Sequence, residues 1–488
     1  MEGRAQQIWR DLQPTPGRFA ATIRITVGVL VLVSVMLAFR MPFLDIGPYF
    51  IFTLMQREML TSRAAAVLSL LGVALACLLI YLLTLLTWDV ASLRILFATA
   101  ILFTGFFLMQ VFVEPRFILM GMLILAVMLP SLDRSPFPNL VVGELGWLWA
   151  LIGTAICVSL TIQWLMRTPM AIERMRWEFR RFFTSMERRC VARAFGRAVP
   201  EGSHGHMEGV IELTHLLAKF HVLTPAQAGN TRGLLSAARE VGTEARRAGI
   251  TGAREAWLAL GRRLRVVRTR VRSGQTIAFD GIPEPVFPDG EEESRRASER
   301  LTGAVQALSH TNEAVPRASA IRADWLSNPA HTDFALRATA ATMGCYFFMK
   351  LSNWDGIHTC MITCIATASA SVDQQVARQN LRLVGAVIGG FLGIVAVVWF
   401  IPRFEGLAGL YVVLAVGSAV SAWVALASPR IAYAGLQIAL AFFITTLQHP
   451  YPNVKLDPIS DRWVGILVGI LAMRAAFDWL APKARRVG

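Results

Sequence analysis

Two short apolar stretches decide how this chain folds: PYFIFTLM, Pro48 to Met55, and GIHTCMITCIATASAS, Gly356 to Ser371. At 1.5 Å per residue the first reaches about 12 Å as a helix and the second about 24 Å, against a hydrocarbon core about 30 Å thick. Each therefore reads as a broken or re-entrant helix. Irregular backbone survives at membrane depth only where protein or a watery cavity satisfies its amides. Matching interruptions in two halves of a chain are the best pointer a sequence gives to a solute site.

Around them lie longer apolar runs. In the first half these are Ile23 to Phe39, Ser62 to Thr87, Leu93 to Gln110, Phe117 to Leu129 and Val142 to Met166. In the second they are Phe334 to Lys350, Leu383 to Ile401, Leu407 to Ala427, Ile431 to Leu447 and Trp463 to Leu480. Each half thus has six segments, the second one short. Composition agrees: 55% of the 488 residues are hydrophobic, 17% are charged, and the mean hydropathy is +0.50. Soluble domains carry about 25% charged residues, so the expectation is an all-α membrane protein. The first run follows a basic leader and ends in Phe39-Arg40-Met41-Pro42 without a small-x-small cleavage site, which reads as an uncleaved span.

The net charge of +15 would suit nucleic-acid binding if the cations were clustered on one soluble face. They are instead distributed as the positive-inside rule requires. The amino-terminal arm, Arg57, Arg63, Arg116 and the Arg167 to Arg181 stretch share one side with Arg378, Arg382, Arg430 and Lys483, while the loops around Asp45, Asp89 and Asp133 hold few cations. Both termini and the long polar insert are expected in the cytoplasm, and no nucleic-acid partner is expected. No cysteine falls in an expected external loop, so no disulfide framework is expected.

The halves align at a nearly constant shift. Glu114-Pro115-Arg116-Phe117 matches Ser428-Pro429-Arg430-Ile431, and Arg63, Gly72 and Glu144 match Arg378, Gly389 and Asp461. Two parallel repeats related by an axis along the membrane normal are expected, residues 1–166 and 333–488. Between them, residues 167–332 read as a helical insert, with Trp177, Phe179, Phe182, Phe183 and Met186 at helical spacing and a Pro-rich linker at 273–290.

The run Trp354-Asp355-Gly356-Ile357-His358-Thr359-Cys360-Met361-Ile362-Thr363-Cys364, the Gly-rich helix from Arg382 to Gly390, and Asp461-Arg462-Trp463-Val464-Gly465-Ile466 together resemble the fusaric acid resistance and aromatic acid exporter family, in particular its multidrug-resistance branch. The resemblance implies an efflux subunit of the bacterial inner membrane that expels aromatic acids or drugs. It also implies a periplasmic adaptor and an outer-membrane channel; a homo-oligomer is expected besides.

Energy coupling and solute binding call for ionisable groups at membrane depth. None of the four lysines follows a glycine, which removes a phosphate-gripping Gly-Lys loop and leaves an ion gradient, protons by default. Asp355 and His358 stand i, i+3 at the outer end of the interrupted segment, where the carboxylate could orient the imidazole beside the hydroxyls of Thr359 and Thr363. Equally, Asp355 could cap the segment and His358 satisfy a carbonyl. Asp461 and Arg462, with Glu144 at the matching place, could bind an anionic solute or fix helix depth. Arg57, Glu58, Asp373 and Arg378 at the inner ends of the short segments are gate candidates or solvated turns. Arg474 and Asp478, i, i+4 in the last span, are an ion path or a snorkelling pair.

Cys360 and Cys364 lack further ligands, so no metal, cofactor or enzymatic motif is expected. A proton-coupled exporter leads, with a passive organic-anion channel and a non-transporting assembly subunit as the other classes.

Overall fold

The computed structural model describes residues 4–15, 17–55, 59–112, 115–168, 171–199, 204–219, 223–246, 253–273, 279, 282–289, 291–309, 321–368, 372–403, 406–428, 430–447 and 457–479. Among them all regular structure is helical, and extended pairing is limited to a single bridge, Phe112 to Ile321. The chain divides into two compact units: Met1–Thr168 with Ser319–Gly488, and Pro169–Ala318.

The first unit begins with α1 (Arg4–Leu12), α2 (Arg18–Ala38), α3 (Gly47–Leu54), α4 (Met59–Thr87), α5 (Ala91–Val111), α6 (Arg116–Arg134) and α7 (Pro138–Leu165). The second unit holds α8 (Ala171–Ala194), α9 (His204–Lys219), α10 (Pro225–Glu244), α11 (Arg254–Ser273) and α12 (Glu292–Ser309). The chain then returns to the first unit through α13 (Pro329–Leu351), a 3₁₀ turn (Asp355–His358) running into α14 (Thr359–Thr367), α15 (Val372–Val395), α16 (Gly406–Ala425), α17 (Ala432–Thr446) and α18 (Asp457–Trp479).

Among the described residues, seven helices are long and apolar enough to cross a bilayer: α2, α4, α5, α6, α7, α15 with its π-turn extension to Arg403, and α16. By contrast α3 has 8 residues and α14 has 9. Their shortness has a local cause. The helix before each ends in the same reverse turn, with Met41 N–H donating to Met36 O (2.9 Å) and Trp354 N–H to Met349 O (3.2 Å). These 6→1 bonds require a left-handed residue, supplied by Arg40 (φ 50°) and Asn353 (φ 51°). Pro48 then sits in the first turn of α3, and non-helical backbone at Met55 and Ala368 stops the two short helices.

Several helix pairs in one half have counterparts in the other. Helix α2 packs on α16 as α13 packs on α5; α3 packs on α7 and α17 as α14 packs on α18 and α6; α4 packs on α6 as α15 packs on α17. The matched glycines serve the same contact: a Cβ on Gly72 would stand 2.4 Å from Phe117 O, and one on Gly389 2.3 Å from Ile438 O. At the start of α2, the buried Arg18 guanidinium bonds Trp423 O (2.9 Å), Asp11 O (3.0 Å) and Gln13 O (2.9 Å) and stacks 4.4 Å over the Trp423 ring, tying α2 to α16.

In the second unit α8 packs on α9, α10 and α11, and α10 on α12. Phe179, Phe182, Phe183, Met186 and Cys190 of α8 fill its core with Trp257 and Leu260 of α11. Burial pushes the Cys190 thiol up to about 12, so it is a core filler rather than a reactive group. Arg265 and Arg268 of α11 grip Glu187 at 2.6 and 3.0 Å.

Candidate functional site

Both short helices border one cavity of about 490 Å³. Its walls differ. From α6 and α7 come Leu119, Leu123, Ile124, Val127 and Leu148, all apolar. From α15, α17 and α18 come Arg382, Tyr433, Gln437, Asp461 and Arg462, and from the 3₁₀ turn and α14 come His358 and Thr359. Asp45 and Tyr49, beside and within α3, add polar groups from the first half.

Arg382 is 1% exposed. Its Nε donates to Thr363 Oγ1 (3.1 Å), and its Nη1 to Gln437 Oε1 (2.9 Å) and Tyr433 Oη (3.4 Å), while Nη2 is buried without a partner. Arg462 is 4% exposed, with both Nε and Nη2 buried and unpartnered. A guanidinium taken from water without full compensation is destabilising by several kcal/mol. Two such groups leave guanidinium donors unfilled on a cavity that Asp45 and Asp461 also line, and the planar fork suits a carboxylate.

Asp461 does not supply that anion to the orphaned donors. Its Oδ1 accepts from Trp354 Nε1 (2.8 Å), and its Oδ2 lies against Gly356, where an added Cβ would come within 1.9 Å. The contact pins the 3₁₀ turn over the cavity edge and leaves glycine the only residue that fits there.

The residues singled out from the sequence separate into those on the cavity and those off it. His358, Thr359, Asp461 and Arg462 line it. Thr363 lies behind the wall, donating to Thr359 O (2.7 Å) and accepting from Arg382. The expectation that the Asp355 carboxylate orients the His358 ring is corrected: His358 Nδ1 stands 3.3 Å from Asp355 O, whereas the carboxylate faces Lys350 Nζ and Arg134 Nε, each at 3.9 Å. Those cations draw it into a cluster in which Asp133 binds Arg94 (2.9 Å), Lys350 (3.1 Å) and Tyr346 Oη (2.6 Å).

Glu144 is absent from the cavity lining, and its Oε2 is buried without a partner. Asp373 is exposed in the first turn of α15, and Arg378 Nη1 donates to Ala368 O (3.4 Å); neither borders the cavity. Arg57 and Glu58 lie outside the described residues. Arg382, counted by sequence among the cations of the cytoplasmic side, is instead a buried wall residue. It was missed together with Tyr433, Gln437, Tyr49 and Asp45; the one available signal was a cation seven residues before Gly389 on a helix that must pack closely. Cys345, Cys360 and Cys364 meet in the core, Cys345 and Cys364 at 3.6 Å between sulfurs, and no cluster of three or more metal-ligating side chains occurs among the described residues.

Fold and site together define a multi-pass, all-helical membrane protein with a cavity that is apolar on one side and polar on the other. Residues 343–474, from within α13 to within α18, match the model of the fusaric acid resistance protein-like family. The multidrug resistance protein MdtO of Shigella flexneri is 34% identical over 166 residues, 33% of this chain and 24% of that protein. MdtO of Escherichia coli (strain K12) is 31% identical over 163 residues, again 33% and 24%. The match thus spans about a quarter of the length of these curated relatives. No solved structure matches the chain significantly.

Proposed function

We propose that this chain is an efflux transporter of the bacterial inner membrane, exporting amphipathic organic anions, aromatic acids or drugs of that shape, through the cavity between its two short helices. The observation that carries the reading is the pair of buried guanidiniums, Arg382 and Arg462, both lining that space opposite an apolar wall and each keeping buried N–H groups without a partner. A carboxylate satisfies the donors, and an aromatic body fills the side lined by Leu119 and Leu123. The two halves act as parallel repeats that rock about this site, with the termini and the second unit in the cytoplasm.

Proton coupling rests on His358 and Asp461, the latter competing with the solute for Arg462. The relatives' multidrug resistance names support export, and a periplasmic adaptor, an outer-membrane channel and a homo-oligomeric state belong to the same proposal. The test is flux of 2-naphthoate into inside-out vesicles. Concentrative uptake driven by a pH difference, lost in Arg462→Gln at normal protein level, is expected. Flux only down the solute gradient and indifferent to pH would instead identify a passive anion channel, and no flux at all would remove the transport assignment.

A further inference from the structure

Below the cavity wall, a line of buried polar groups continues along α15 toward its N-terminal end. Gln375, Gln379 and Arg382 fall at i, i+4 and i+7 on one face, a rise of about 10 Å. Gln375 is 3% exposed and Gln379 is fully buried. Yet Gln375 Oε1 and Gln379 Nε2 have no partner, and an orphaned buried amide is destabilising by about 1–3 kcal/mol.

Opposite them runs a second polar face. Thr359, Thr363 and Thr367 repeat at i, i+4 and i+8 along α14, all buried. Arg382 Nε to Thr363 Oγ1 (3.1 Å) and Arg378 Nη1 to Ala368 O (3.4 Å) fix the two helices antiparallel, so the polar faces stay in register. Midway along the line Gln379 Oε1 lies 3.5 Å from Nε of Arg474 on α18, a residue that is exposed. The line therefore joins a buried cavity wall to an exposed cation. The matched stretch of the first half lacks the cation: where α15 has Arg382, α4 has Ala65.

We infer that this seam between α14, α15 and α18 is the cytoplasmic arm of the transport route: a path that hydrates and admits an organic carboxylate, passing it from Gln375 at its outer end, past Gln379 and the neighbouring Arg474, to Arg382. It rests on the reading of the cavity as the transport site. In the structure the seam is closed, and its unpartnered amides mark where water and the solute's carboxylate enter when α14 and α15 part. Gln375 and Gln379 are positioning residues; they hydrogen-bond the passing anion without adding charge, which keeps it from being trapped short of the cavity.

Two measurements test this. Gln379→Cys and Gln375→Cys, probed in inside-out vesicles with a charged, membrane-impermeant methanethiosulfonate, should react about tenfold faster than the parent chain's own thiols, most of which are buried. Saturating 2-naphthoate should slow that reaction. Gln375→Leu/Gln379→Leu should cut 2-naphthoate flux about tenfold, the loss of one hydrogen bond to a charged group, while binding to the solubilised protein stays within about twofold. Should the leucine pair fail to fold, the cysteine variants decide alone.

Cysteines that are silent from this face, or that react only from the opposite face, overturn the seam, as do leucine variants that transport at the parental rate. Failure of the parent protein to bind 2-naphthoate is a different result: it removes the reading of the cavity, and labelling then decides whether the seam is a water path.

Discussion

The two halves of the first unit pair several of their helices alike and differ in chemistry. Aligned through Pro115 and Pro429, Leu119 and Leu123 of α6 stand where α17 has Tyr433 and Gln437, and all four line the cavity. Aligned through Glu144 and Asp461, the buried Leu145 stands where α18 has Arg462. One scaffold thus presents an oily wall and a hydrogen-bonding wall across one space. A solute with one anionic end and one apolar face is oriented by it, and a purely apolar one leaves the guanidinium donors unpaired.

Making the second half chemically like the first should have the largest effect. Arg462→Leu is expected to weaken 2-naphthoate binding about a hundredfold, since two charge-assisted hydrogen bonds are lost. The empty protein should at the same time melt higher, because an incompletely paired buried cation is gone. Intact binding together with a lower melting temperature would deny the residue its role.

Gly356→Ala probes where the halves part company. Its Cβ meets Asp461 Oδ2, so the 3₁₀ turn must shift at about 1–3 kcal/mol and flux should fall several-fold. Gly146→Ala in α7 meets nothing within 4 Å and should leave flux unchanged. Equal behaviour of the two variants in a flux assay would contradict the pinned turn.

Gly72→Ala and Gly389→Ala test the shared plan instead. Both would drive a Cβ into the facing backbone, at Phe117 and at Ile438, and both should lose about 1–3 kcal/mol in denaturant unfolding. A loss confined to one of them would break the equivalence of the halves.

The smallest effect is expected from Asp355→Asn. The carboxylate's cationic neighbours stand at 3.9 Å and are partly exposed, a class of pair worth about 0–1 kcal/mol. Transport should fall no more than a few-fold; its abolition would return Asp355 to the coupling role suggested by its spacing to His358.

What the sequence made legible follows the same division. Interrupted apolar runs are a local property, so α3 and α14 and the ionisable residues beside them, His358, Asp461 and Arg462, could be read directly. Arg382 could not, because it borders a long apolar run and is indistinguishable there from a topogenic cation; only the register of α15 against α14 and α17 turns it to the cavity. Tyr433 and Gln437 were hidden for a related reason, since an apolar helix tolerates either as an interior polar group. Asp355 misled because i, i+3 spacing says which residues share a face but not that Lys350 and Arg134 stand nearer to the carboxylate.

The central claim is that two buried guanidiniums select an anion against an apolar wall. Its most direct test compares equilibrium binding of 2-naphthoate and 2-naphthamide, nearly equal in shape and different in charge, to the purified chain. The carboxylate should bind about a hundredfold tighter, and the preference should vanish in Arg382→Gln/Arg462→Gln. Equal affinity for acid and amide in the parent protein would contradict the account.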